Sequence, residues 1–149
     1  MKLGSGLTNQ SVAGASLAVA VQDVFDEVNA ELTWSETGEV LTADGTEQNT
    51  YVSNNPLGVH VPRVVFIDLD NMVGGDTTDI RVYYRLAQGG GWLQQDYQSY
   101  TGVNGGLTNG ITVIAVDLYP TRFGIRVTLR QTAGGMVDYL WKYFGEQAI

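Results

Sequence analysis

The sequence predicts a mainly β protein: a two-sheet antiparallel β-sandwich, jelly-roll-like, preceded by one short N-terminal helix. Three observations predict it. From Trp34 onward, short runs of alternating apolar and polar residues are separated by Gly, Asn and Asp turn signals, the pattern of half-buried strands. No βαβ alternation interrupts them, which excludes a parallel sheet with crossover helices. About eight strands in roughly 110 residues match the spacing of a sandwich or barrel.

Three segments organise the chain: an arm at 1–15, a helix at 16–33 and the sandwich at 34–149. The arm is rich in Gly, Ser, Asn and Gln, a composition that buries too little surface to order itself. In the helix, Leu17, Val21, Val24, Val28 and Leu32 recur at spacings of four, three, four and four, which places them on one face. Ser16 is the N-cap. Because Leu17, Val19 and Val21 also alternate with Ala18 and Ala20, a strand remains open there. A stripe so narrow suits either the domain's own sheet or copies of itself around a symmetry axis.

The strands follow in order. Glu39 to Thr42 and Asn49 to Ser53 flank Asp44-Gly45, read as a hairpin turn because Gly tolerates positive φ. Asn54-Asn55-Pro56-Leu57-Gly58 breaks the chain. Val64 to Leu69 reads as a strand buried on both faces, and Asn71 to Asp76 turns it. Ile80, Val82, Tyr84 and Leu86 share one face of the next strand, with Arg81 and Arg85 on the other. Gly89-Gly90-Gly91 lets the chain reverse into Trp92 to Ser99. Ile111 to Leu118 comes next, then Gly124 to Gln131 with Ile125, Val127 and Leu129 inward and Arg126, Thr128 and Arg130 outward, and finally Val137 to Phe144.

A chain of 149 residues buries roughly 70% of its unfolded surface, so it can stand on a hydrophobic core. The absence of cysteine excludes disulfides, thiolate nucleophiles and Cys-based metal sites. Sixteen acidic against eight basic side chains give a net charge of −8, which repels nucleic acid and anionic lipid. No stretch approaches the roughly 20 apolar residues of a membrane helix. Leu17 to Val21 is too short and too far in for a signal peptide, so export is expected by lysis or inside an assembly.

No set of residues assembles an acid, a base and a nucleophile, and the expectation is a protein that is not an enzyme and carries no cofactor or metal. His60 is the single histidine and no nucleophile-elbow motif accompanies it, which favours a structural role. Asp68, Asp70, Asn71, Asp76 and Asp79 supply oxygens close together, but their spacing does not match an EF-hand and turn-capping explains them. Trp92, Tyr97, Tyr100, Tyr119 and Trp141 could form a sugar platform, since aromatic faces stack on sugars. Gly89-Gly90-Gly91 and Gly105-Gly106 lack the helix and Lys of a phosphate loop.

Four stretches carry a resemblance: 41–48 (LTADGTEQ), 62–69 (PRVVFIDL), 75–85 (GDTTDIRVYYR) and 124–134 (GIRVTLRQTAG). Over roughly residues 37 to 144 the chain resembles small β-sandwich, jelly-roll-like structural proteins of tailed phages and archaeal viruses. Its motifs are strand-and-turn patterns with no catalytic residues to transfer. The resemblance implies a virion component, a capsid decoration, turret or minor capsid protein, assembled in the host cytoplasm. Its partners would be itself, as a trimer or higher oligomer, and other capsid proteins, with a host-surface glycan as a further candidate and neither nucleic acid nor membrane. The arm and the helix stripe Leu17, Val21, Val24, Val28 and Leu32 would dock and oligomerise it. A carbohydrate- or receptor-binding β-sandwich module is the alternative.

Overall fold

Nine strands arranged in two sheets make up the described part of the chain, residues 32–54 and 60–148 of a computed structural model. In chain order they are β1 Leu32–Thr42, β2 Gln48–Ser53, β3 His60–Asp68, β4 Thr77–Tyr84, β5 Leu93–Val103, β6 Gly106–Leu107, β7 Val113–Asp117, β8 Ile125–Ala133 and β9 Asp138–Ala148. A four-stranded sheet has the order β1-β9-β3-β7, and a five-stranded sheet the order β2-β8-β4-β5-β6. Among the described strands only β4, β5 and β6 pair with sequence neighbours. Every other pairing joins strands distant in sequence, as when Trp141 of β9 lies opposite Ile67 of β3. Such non-local closure makes for slow folding.

The expected arm and the stripe residues Leu17, Val21, Val24 and Val28 lie outside the described residues. The last two positions of the expected helix, Leu32 and Thr33, are corrected: they open β1. Trp34, next along that strand, meets the Phe144 ring edge-on with centroids 6.4 Å apart, a contact that extended backbone supplies. The loop Asp44-Gly45 also differs from expectation. Asp44 accepts bonds from the backbone N–H and the hydroxyl of Thr46, and Gly45 sits at φ 87°, so the tight turn is present. It joins β1 in one sheet to β2 in the other, and so makes a corner of the sandwich rather than a hairpin.

Alternation decides what faces the core. Val65 and Ile67 of β3 and Tyr139, Trp141 and Tyr143 of β9 pack against Ile80, Val82, Val127 and Leu129 of β4 and β8, the interdigitation expected of two sheets about 10 Å apart. Each fully buried aliphatic side chain here contributes about 1.5–3 kcal/mol. Three expectations change. β4 ends at Tyr84, so Leu86 is 74% exposed instead of inward. Val64 to Leu69 is not buried on both faces, because Phe66 points outward. Pro62 falls within β3, opposite Gly145 and beside a bulge in β3 itself, where Arg63 is the extra residue between the Val64–Phe144 and Pro62–Gly145 pairs, a position at which proline's missing N–H is tolerated.

Two contacts, a ring stack and a hydrogen-bond network, tie the sheets together through tyrosines of β9. Tyr51 of β2 stacks on Tyr143 with centroids 3.7 Å apart. Further along, Tyr139 donates to Gln131 Oε1 at 3.1 Å and lies 2.6 Å from the Thr78 hydroxyl. Gln131, fully buried on β8, also accepts from the Val137 N–H and donates to the carbonyls of Ala133 and Gly135, which closes the β8–β9 turn.

Candidate functional site

The titratable residues singled out in the sequence are spread apart by the fold. His60 begins β3, and its Nε2 lies 3.1 Å from the Tyr143 hydroxyl and 3.3 Å from that of Tyr51. Burial pushes the imidazole below its ordinary value. Burial also pushes the Tyr143 phenol far up, with the neighbouring Tyr51 hydroxyl adding to it. Neutral phenols are poor partners for general-base chemistry, which calls for a group that orients the ring and stabilises its charge.

The carboxylates of the 68–79 segment serve their own turns. Asp68 accepts from the Asp70 N–H at 2.9 Å, and its charge raises the Asp70 carboxyl above the ordinary value. Asp76, buried, accepts from the Val73 N–H, while Asp79 faces Arg81 at 3.6 Å. Asn71 donates to the carbonyl of Asp138. Among the described residues no group of three or more His, Asp or Glu side chains converges as a metal site would require.

The outer face of the five-stranded sheet concentrates charge instead. Arg81 and Tyr83 on β4 lie opposite Thr128 and Arg126 on β8. Glu47, entering from the corner before β2, accepts 2.6 Å bonds from both Tyr83 and Thr128. Burial raises the Glu47 carboxyl, but these hydroxyls, with Arg81 and Arg126 nearby, outweigh it and hold the group below its usual value. Arginines layer onto rings across the face: Arg81 on Tyr97 at 4.8 Å, Arg126 on Tyr83 at 4.4 Å and Arg85 on Trp92 at 4.1 Å. Thr128 points outward as expected yet is buried, because Glu47 lies over it.

The outer face of the four-stranded sheet carries an apolar patch, bordered by Lys142 and by the Arg63–Glu146 ion pair. Leu140, Lys142 and Phe144 of β9 alternate with the buried Tyr139, Trp141 and Tyr143. Phe144 touches Trp34 on one side and Phe66, centroids 6.0 Å apart, on the other. Trp34 is 64% exposed, Val113 49% and Leu140 43%. Phe66, Val113 and Leu140, with the polar Asp68, Asp70, Thr112 and Lys142, line a shallow depression of about 260 Å³. Leu32, the described member of the expected assembly stripe, is also exposed.

No family model matches the sequence, and a search of the curated proteins found no match.

The five aromatics expected to share a sugar platform do not share a surface. Trp141 is buried in the core, and Trp92 and Tyr97 lie under arginines on the five-stranded sheet. Tyr100 and Tyr119 meet elsewhere, in a cleft where the free edges of β5 and β7 face each other. The apolar face was missed because Phe66 and Phe144 were read only as members of strands. The available signal was the second register of β9, in which Leu140 and Phe144 repeat at the spacing of a lined face. Among the described residues the arrangement offers two surfaces, an apolar sheet face and a cleft between sheet edges.

Proposed function

We propose that this protein is a non-enzymatic structural component of a virus particle, a capsid decoration, turret or minor capsid subunit that assembles as a symmetric homo-oligomer. The strand order supports it: β1-β9-β3-β7 and β2-β8-β4-β5 interleave two Greek keys in the manner of a jelly roll, an architecture shared by capsid and lectin domains. The observation that carries the reading is the apolar face of Trp34, Phe66, Val113, Leu140 and Phe144. Isolated monomers rarely leave contiguous apolar surface of that kind in water. A second copy, repeated by symmetry, covers it.

The test is molar mass by size-exclusion chromatography with light scattering on the full chain and on two variants. Trp34→Ser with Phe66→Ser disrupts the sheet face, and Leu17→Ser with Val24→Ser disrupts the stripe before it. A trimer or higher oligomer that falls to monomer in either variant supports the reading and says which surface assembles. A wild-type monomer at tens of micromolar overturns it.

A further inference from the structure

Among the described residues, the free edges of β5 and β7 bound a cleft between the two sheets. β5 pairs with β4 along its length but with β6 only at Gly102 and Val103, so Leu93–Thr101 presents an open edge among the described residues. Among the described residues β7 pairs only with β3. Between these edges lies a polar depression of about 200 Å³ lined by Gln95, Asp96, Gln98, Tyr100 and Asp117. It continues past Gln95 and Tyr119 into an apolar depression of about 390 Å³, walled by Tyr84, Leu86, Leu93 and Pro120. Tyr119 belongs to both, is 59% exposed, and is held in place by its N–H bond to the Tyr84 hydroxyl at 2.9 Å.

Two kinds of ligand suit an open edge: an added strand or a polar small molecule. Strand addition needs a regular ladder. Here Asp96 lies opposite Val82 while Gln94 lies opposite Tyr83, so Gln95 is a bulged extra residue near the start of the edge. A bulge and an inward charge are the devices that block strand pairing. The remaining chemistry is an exposed aromatic ring beside planar amides and carboxylates. Such groups accept from, and in the amides donate to, neighbouring hydroxyls while the ring covers a C–H face. No Lys, Arg or His lines either depression, so an anionic ligand would meet only Asp96 and Asp117.

We propose that the β5–β7 cleft binds a neutral saccharide, with Tyr119 as the stacking surface and Gln95, Asp96, Gln98 and Asp117 bonding its hydroxyls. The site is separate from the apolar sheet face, and its occupancy does not require assembly. The experiment is isothermal titration and saturation-transfer NMR of the full chain against glucose-, galactose-, mannose- and N-acetylglucosamine-terminated oligosaccharides, with sialylated and sulfated sugars alongside. The expected result is saturable binding of at least one neutral sugar. Tyr119→Ala and Asp117→Asn should each weaken it at least tenfold, while Trp92→Ala on the five-stranded face changes it less than twofold. Preference for the acidic sugars, affinity unchanged in both cleft variants, or no binding across the panel overturns the proposal. Circular dichroism of each variant separates lost binding from lost fold.

Discussion

Replacing Gln131 by Leu tests whether a buried amide organises the β8–β9 end of the sandwich. The wild-type side chain makes four hydrogen bonds: to the carbonyls of Ala133 and Gly135, from the Val137 N–H and from the Tyr139 hydroxyl. Ala133 and Gly135 are exposed, so water can replace the amide there. The Val137 N–H is half-buried and Tyr139 is fully buried, and both lose their acceptor. Stranding two such donors at about 1–3 kcal/mol each, less the gain from an apolar side chain, gives a loss of about 3 kcal/mol. At about 4 °C per kcal/mol for a domain of this size, the midpoint falls by about 12 °C. Tyr139→Phe removes the shared phenol and strands the buried Thr78 hydroxyl at about 1–2 kcal/mol. In the double variant the shared bond is lost once, so its cost should fall short of the sum by about 1 kcal/mol. Urea unfolding followed by circular dichroism measures all four proteins. A cost for Gln131→Leu below about 1 kcal/mol, or strict additivity in the cycle, would refute the reasoning.

Further expectations concern a glycine, a carboxylate and the histidine. Gly134 sits at φ 89°, and a Cβ there would collide with the buried Asp76. Gly134→Ala should therefore cost more than about 2 kcal/mol, whereas Gly135→Ala, which meets open space, stays within about 0.5 kcal/mol, both read by urea unfolding. Because the folded Glu47 carboxyl lies below its ordinary 4.5, its contribution is complete above that pH and is lost as pH falls through the folded value. Glu47→Gln should flatten the acid limb of the stability profile below pH 4.5, and an unchanged limb would show that the hydroxyl pair is idle. His60 is shifted below its ordinary 6.5, so the unfolded chain binds the extra proton first and stability declines as pH falls from 6.5. His60→Gln should remove that decline in thermal scans between neutral pH and the acid limb.

Much of the core was legible because period-two alternation reports burial directly. Ile80, Val82, Val127 and Leu129 face inward as read. Strand partners were not legible, since alternation does not say which strand lies alongside. The Asp44-Gly45 turn has hairpin chemistry yet leads from one sheet to the other, because local φ preferences do not choose between a ladder and a corner. β1 was shortened in the sequence reading because Thr33 to Glu39 lacks an apolar alternation, as suits a largely exposed strand whose one partner among the described residues is β9. The Glu47 cluster depends on register: Tyr83 and Arg126 become neighbours only once β4 lies against β8. Of the aromatic set, Tyr100 and Tyr119 reach one cleft because β7 and the part of β5 left unpaired by the short β6 lie at the margins of different sheets, a relation visible only in three dimensions.

The two tyrosines of β9 also bear on mechanics. Tyr139 and Tyr143 stand four residues apart, about 13 Å along an extended strand, and each engages the opposite sheet, one through Thr78 and Gln131 and the other through Tyr51. The interdigitated apolar side chains already oppose sliding of one layer over the other, and this pair of directional contacts adds resistance to rotation. Force applied parallel to β9 is therefore borne by both layers at once, and the domain shears as a unit instead of delaminating.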